Sequence, residues 1–272
     1  MPGRKNEVRR IQVTGYQIRK IILEQSFRAQ VGHIGSALSI ADIVAAIYSS
    51  VLTQRRPGEK DRHRFILSKG HAALALYAAL YLKGWIQKKE LDSFCSDGTR
   101  LGVHPEIGLR GVDFSTGSLG HGLAMGAGAA LGARLGHSKR KVVVLMSDAE
   151  CNEGSTWETA MFAAHHKLAN LVGIVDLNGQ QAFGYTKDVL NLQGMAARWK
   201  QFGWETHSVD GHDQKALTKI LRSVKTNFGK PHLLVAKTTF GKGVSFMENQ
   251  IKWHYWPINQ IEYKQALKEI RD

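Results

Sequence analysis

Residues 141–178 read "KVVVLMSDAECNEGSTWETAMFAAHHKLANLVGIVDLN": two short apolar runs with a longer mixed stretch between them. "KVVVLMSD" and "NLVGIVDLN" are apolar almost throughout rather than alternating, which predicts strands buried on both faces. "STWETAMFAAHHKL" has the length and composition of a helix. Strand, helix, strand of this kind predicts a right-handed βαβ unit in a parallel sheet. Asp148, Glu150, Asn152 and Glu153 crowd the end of the first strand, either as a solvated turn or as a site for a cation.

The alternation extends outward in both directions. Val8, Ile11, Ile18 and Ile22 recur at helical spacing and predict a first helix. "SIADIVAAIYSSVL" (39–52) predicts a second, with Ser39 as its N-cap. "RFILS" is a short buried strand, and "GHAALALYAALYLKG" a helix closed by Gly84. After an irregular segment, "STGSLGHGLAMGAGAALGARLG" (115–136) places a glycine-rich turn before a helix of small residues. Beyond residue 178 come "LQGMAARWKQFG" (helix), "WETHSVDG" (strand), "DQKALTKILRSVKT" (helix) and "HLLVAKTT" (strand). The expected class is therefore α/β, a doubly wound parallel sheet with helices on both faces. No repeat or linker divides it, so one domain over 1–272 is expected.

With 272 residues, 43% of them hydrophobic, the chain can bury a sizeable core. Cys95 and Cys151 form neither a disulfide framework nor a CxxC pair, which suits a reducing compartment. The basic start "MPGRKNEVRR" leads into no apolar signal-peptide core. The apolar stretches are short, so no membrane span is expected and a cytoplasmic location is. The formal charge of +14 comes from 37 scattered Lys and Arg residues, and the densest run, "RRPGEKDRHR" (55–64), contains Glu59 and Asp61. Without a zinc-finger spacing, an aromatic RNA-binding motif or a basic zipper, this predicts a solvated surface that attracts anionic small molecules or an acidic partner, not nucleic acid.

Asp148 and Asn178 fall at the carboxyl ends of successive strands, outside which open α/β sheets bind ligands. Two oxygen-bearing side chains there suit a hard divalent cation such as magnesium, which completes its octahedron with water and substrate phosphate oxygens. Acids and asparagines also end strands simply as turn formers.

Six stretches carry a resemblance. "SDAECNEGSTWETAMFAAHHKLANLVGIVDLNGQQ" (147–181) resembles the thiamine-diphosphate signature, and its "EGSTWETAMFAAHHKLANL" resembles the transketolase version. "VGHIGSALS" (31–39), "ILSKGHAALALYA" (66–78), "LGVHPE" (101–106) and "STGSLGHG" (115–122) are similar to further transketolase motifs, in the family's order. "FGKGVSFMENQIKWHY" (240–255) is similar to split transketolases and deoxyxylulose-phosphate synthases. The resemblance implies the thiamine-diphosphate-binding fold, here the diphosphate-binding domain. It also implies a pyrimidine-binding domain on a separate chain, as in the N-terminal subunit of a two-component transketolase. The implied cofactors are thiamine diphosphate and Mg2+, with Ca2+ or Mn2+ as substitutes. The implied assembly is an α2β2 heterotetramer with a C-terminal transketolase subunit. Its implied substrates are sugars or sugar phosphates, between which a two-carbon ketol unit passes from a ketose to an aldose.

Residue by residue, the resemblance implies metal ligation by Asp148, the Asn178 side chain and the Gln180 carbonyl, with amides around Ala149 and Glu150 facing the diphosphate. His33, His71 and His104 match substrate-channel positions, where imidazoles hydrogen-bond sugar hydroxyls and move protons; His71 also adjoins the cofactor. His254 matches an end-of-domain histidine. Gly117 and Leu119 match residues beside the aminopyrimidine, although Leu119 is equally at home in a core. Glu153 matches an interface glutamate that couples paired sites, or is a first-turn acid complementing a helix dipole. His165 and His166 are expected to be structural.

Three departures stand out. "SDA" replaces the usual GDG, so Ala149 would be strained if that position needed a positive φ. His121 stands where the family often has glutamine, and Phe183 where it has an acid. These leave two other readings open: an acyl or glycolyl transferase of a specialised pathway, or a non-catalytic scaffold of the same fold.

Overall fold

The computed structural model describes residues 13–54 and 56–271. Helix α1 (Gly15–Ala29) opens on a capping box: the Thr14 hydroxyl accepts from the Gln17 amide, and the Gln17 side chain accepts from the Thr14 amide. Ile18 and Ile22 are buried on it; Val8 and Ile11 lie outside the described residues.

The helix expected over 39–52 is α3 (Ala41–Ser50), and a short helix that was not anticipated, α2 (Ile34–Ser39), precedes it with a break at Ile40. Ser39 is not an N-cap. Its buried hydroxyl shares its one hydrogen between the Ser36 carbonyl and the Asp176 carboxylate, each at 2.9 Å. A buried carboxylate in need of donors has claimed the group that was expected to cap a helix.

The chain continues through β1 (Arg64–Leu67), α4 (Ala73–Leu82), α5 (Lys88–Leu91), α6 (Gly122–Leu135), β2 (Val142–Ser147), α7 (Gly154–His165) and β3 (Leu171–Leu177). A small antiparallel hairpin, β4 (Gln180–Gln181) and β5 (Gly184–Tyr185), leads to α8 (Thr186–Val189). Then follow α9 (Met195–Gln201), β6 (Glu205–Asp210), α10 (Gln214–Ser223), β7 (His232–Lys237) and α11 (Gln260–Glu269). Periodicity does not anticipate α5, the hairpin, α8 or α11.

The main sheet has the order β1-β2-β3-β7-β6, and every pairing is parallel. Side chains two apart share a face, and the two cores divide accordingly. Val143 and Leu145 of β2 and Leu234 and Ala236 of β7 face one core, with α1, α3, α4 and α10. Val142, Val144 and Met146 of β2 and Leu233 and Val235 of β7 face the other, with α6, α7, Trp199 and Trp204. That is why the strands read as unbroken apolar runs. The glycines of α6 allow a close approach to the sheet: a Cβ on Gly126 would lie 2.4 Å from a Val144 methyl. Among the described residues no helix is long and apolar enough to cross a membrane.

Candidate active site

Strands β1, β2 and β3 end side by side, and a cleft of 370 Å3 opens beyond their carboxyl ends. It is lined by His33, His71, His104, Leu119, Ala149, Glu153, Asn178, Gln180 and His254, among others. The structure thus brings together most of the positions singled out by sequence, the furthest of them 221 residues apart.

The floor is charged and dry. Asp148, Glu150, Asp176 and Lys69 are each fully buried. Lys69 Nζ donates to Asp176 Oδ2 at 2.5 Å, and the same oxygen accepts from Ser39 and from Asn178 Nδ2. Thr238 donates to the other Asp176 oxygen. Asp148 accepts from the Ala149 and Gly179 amides at 2.8 and 3.0 Å and from the Thr186 hydroxyl at 2.9 Å. Burial first, then repulsion from Asp176, pushes its carboxyl up to about 6. Glu150 accepts from Ser68, Gly120 and Ser147, and burial raises its carboxyl too. Three buried carboxylates therefore surround one ammonium, a cluster short of positive charge.

The donor set fits a divalent cation. Asp148, the Asn178 carboxamide and the Gln180 main chain offer oxygen ligands of the kind magnesium accepts. Buried polar atoms without partners also gather at this cleft: Asn152 Oδ1, both side-chain polar atoms of Gln180, and Gln181 Nε2. A bound cation and diphosphate would satisfy such groups. The Ala149 amide here donates to Asp148, and the Glu150 amide to Ser147 Oγ at 3.3 Å. Ala149 is not among the residues with positive φ, since it opens a 3-10 turn, and the strain considered for "SDA" does not arise.

The histidines form the wall. His33 Nδ1 and His254 Nδ1 lie 3.2 Å apart, and the rings of His33, His71 and His254 are within 5.6 Å of one another. Burial, reinforced by His254, His104 and Lys69, holds His33 down at about 4. Burial also lowers His254 and sends His71 well below the usual imidazole range. Near pH 7 these three are neutral, so each can accept one hydrogen bond and donate another. His33 sits at φ +62°, a left-handed conformation costing a non-glycine residue about 1 kcal/mol, and its amide donates to the His254 carbonyl. Backbone strain and ring pairing coincide at one residue.

The mouth is open. His104 and Glu153 are exposed, and a Cβ on Gly117 would touch the His104 ring at 3.5 Å. Glu153 occupies the N-cap position of α7, makes no side-chain capping hydrogen bond and lies one residue before the first turn, where its charge still faces the positive end of the helix. Leu119 is half-buried and lines the cleft rather than the core. Phe183 is 87% exposed, and His121 is exposed at the start of α6. His165 and His166 end α7 away from the cleft lining.

Sequence reasoning missed Lys69, Asp176, Ser68 and Thr186. Two signals were present: Lys69 stands two residues before His71, and Asp176 is a lone acid inside a strand apolar on both faces.

A parallel sheet with this cleft at its carboxyl ends defines a cofactor-binding α/β fold. The solved transketolase from Campylobacter jejuni superposes with a TM-score of 0.88 at 30% identity, covering 97% of this chain and 43% of that one. The family described as transketolase, thiamine diphosphate binding domain, matches residues 12–270, and the chain belongs to the transketolase family. It is 38% identical over 268 residues to an apulose-4-phosphate transketolase subunit of Phocaeicola vulgatus, covering 98% of this chain and 95% of that protein. It is 36% identical to a 6-deoxy-6-sulfo-D-fructose transketolase subunit of Clostridium sp., covering 93% of each. Of the transketolase-like protein 2 from Bos taurus it spans 39%, at 36% identity.

Proposed function

We propose that this chain is the diphosphate-binding, N-terminal subunit of a two-component, thiamine diphosphate- and magnesium-dependent transketolase. The observation that carries the reading is the meeting of the Asp148–Asn178–Gln180 oxygen set with four imidazoles in one cleft. Thiamine diphosphate, when bound, supplies the carbanion chemistry that moves a two-carbon unit from a ketose to an aldose. Asp148, Asn178 and the Gln180 carbonyl would hold the cation that neutralises the diphosphate. Neutral His33, His71 and His254, with His104 at the mouth, hydrogen-bond the hydroxyls of the sugar and move protons to and from them. A keto acid lacking those hydroxyls would leave this wall of donors and acceptors unmatched, which favours a ketose donor over an acyl donor.

Relatives named as transketolase subunits align with the chain almost end to end, which supports a partner subunit on a separate chain; in this reading the partner carries the pyrimidine-binding domain and the assembly is α2β2. The domain 12–270 then supplies half of each site. The test is reconstitution. The purified chain should show no ketol transfer, and addition of a C-terminal subunit with thiamine diphosphate and Mg2+ should restore it. Substantial turnover by the chain alone would refute the two-component reading. Restored turnover with a keto acid but no ketose would instead favour the acyl transferase.

A further inference from the structure

The amino-terminal ends of β6 and β7 lie at the opposite end of the sheet from the cleft. Glu205 and His207 are two apart on β6 and therefore share a face. The parallel register sets Glu205 beside His232, the first residue of β7. Three potential ligands thus meet on one patch of an edge strand and its neighbour. His207 Nε2 stands 3.5 Å from one Glu205 oxygen, and His232 Nδ1 stands 3.6 Å from the other. One ligand atom from each residue lies within 4.8 Å of the others. The two imidazole planes differ by only 13°.

The buried member is the informative one. The His232 side chain is 9% exposed, and its Nδ1 is buried without a hydrogen-bond partner among the described residues. Such an atom carries a desolvation penalty unless something else satisfies it. A buried imidazole nitrogen without a hydrogen-bond partner, 3.6 Å from a carboxylate oxygen and beside a second imidazole, is a candidate metal ligand. Around a zinc ion at about 2.0–2.2 Å from each ligand, donor atoms stand roughly 3.3 Å apart; each imidazole already stands near that distance from a Glu205 oxygen, and the three ligand atoms, now within 4.8 Å of one another, would draw together by side-chain rotation on binding. The half-exposed Glu205 leaves a fourth position open to water.

We propose that Glu205, His207 and His232 form a binding site for a divalent transition-metal cation, with zinc the ion that fits. Two imidazoles and one carboxylate suit zinc, cobalt or nickel, whereas magnesium and calcium take oxygen sets. The site joins the two strands at the edge of the sheet, is separate from the cleft and does not depend on its function.

The test uses the untagged full-length chain, stripped with chelator and titrated with Zn2+ against a chromogenic competitor. The cleft imidazoles are a rival site, so the titration is repeated in a His33→Ala/His254→Ala double variant. One tight equivalent should persist there and weaken at least tenfold in His207→Ala and in Glu205→Gln, both at partly exposed positions. Millimolar Mg2+ should not displace it. Binding unchanged in His207→Ala and Glu205→Gln, binding lost with the cleft histidines, or no tight equivalent at all would each overturn the proposal.

Discussion

The floor and the mouth of the cleft contain similar residue types under opposite conditions. On the floor, Lys69, Asp148, Glu150 and Asp176 are shut away from water and satisfied by one another and by Ser39, Ser68, Thr186 and Thr238. At the mouth, His104 and Glu153 stand in solvent with few protein partners. Floor groups therefore hold the fold and the function together, while mouth groups can change function with little effect on the fold.

The strongest challenge to that contrast is Lys69→Met. It leaves the Asp176 carboxylate buried opposite an apolar chain, and breaking a buried pair in this way costs about 3–5 kcal/mol. Urea denaturation of the cofactor-free chain should show a loss of that order. A change under about 1 kcal/mol would mean that the pair is not structural.

Asp148→Asn tests the electrostatic half. With its carboxyl raised to about 6, Asp148 binds a proton in the folded state that the unfolded chain has released, so it makes stability fall as pH rises from about 4 to about 6. His33, lowered to about 4, acts oppositely: the unfolded chain binds the extra proton between pH 4 and 6.5, and stability rises with pH there. The two trends offset each other in the parent. Asp148→Asn removes the first, so stability of the cofactor-free variant should climb more steeply over that window, by on the order of 2 kcal/mol. In the assembled enzyme the same variant should lose thiamine diphosphate binding. Parallel pH profiles for variant and parent would contradict the burial argument.

At the mouth the effects shrink. His104→Ala removes a hydrogen bond to a neutral sugar hydroxyl, worth about 0.5–1.5 kcal/mol. Specificity for a hydroxylated ketose should drop roughly two- to tenfold, with cofactor affinity nearly unchanged, as steady-state kinetics and calorimetry would reveal. Equal loss of cofactor affinity would move His104 from substrate to cofactor.

Glu153→Ala should be smallest, shifting folding stability by no more than about 0.5 kcal/mol, as expected at an exposed position. Its effect should appear instead in sedimentation of the mixture with the partner subunit, as weaker assembly. An unchanged sedimentation profile would assign Glu153 no interface role.

Much of this arrangement is legible in the sequence, and the misses have local causes. Asp148 and Asn178 are readable because a residue at the tip of a strand is placed by that strand alone. Ser39 is misread because its capping preference is local, while its actual acceptor, Asp176, lies 137 residues away. Glu153 falls one position before the first turn expected for it, because a helix boundary is set by backbone hydrogen bonding that the sequence does not mark to the residue.

Hydrophobic periodicity, which follows chain order, was enough to specify a parallel sheet covered on both faces and a ligand cleft at its carboxyl ends. Tertiary structure alone decided which groups share that cleft and in what charge state. Lys69 meets Asp176 across 107 residues, and His232 meets Glu205 only through the register of β6 on β7. The low pKa of His33 and the raised pKa of Asp148 exist because folding removes water around them. Strand register and desolvation depend on distances through space, and no spacing along the chain encodes those.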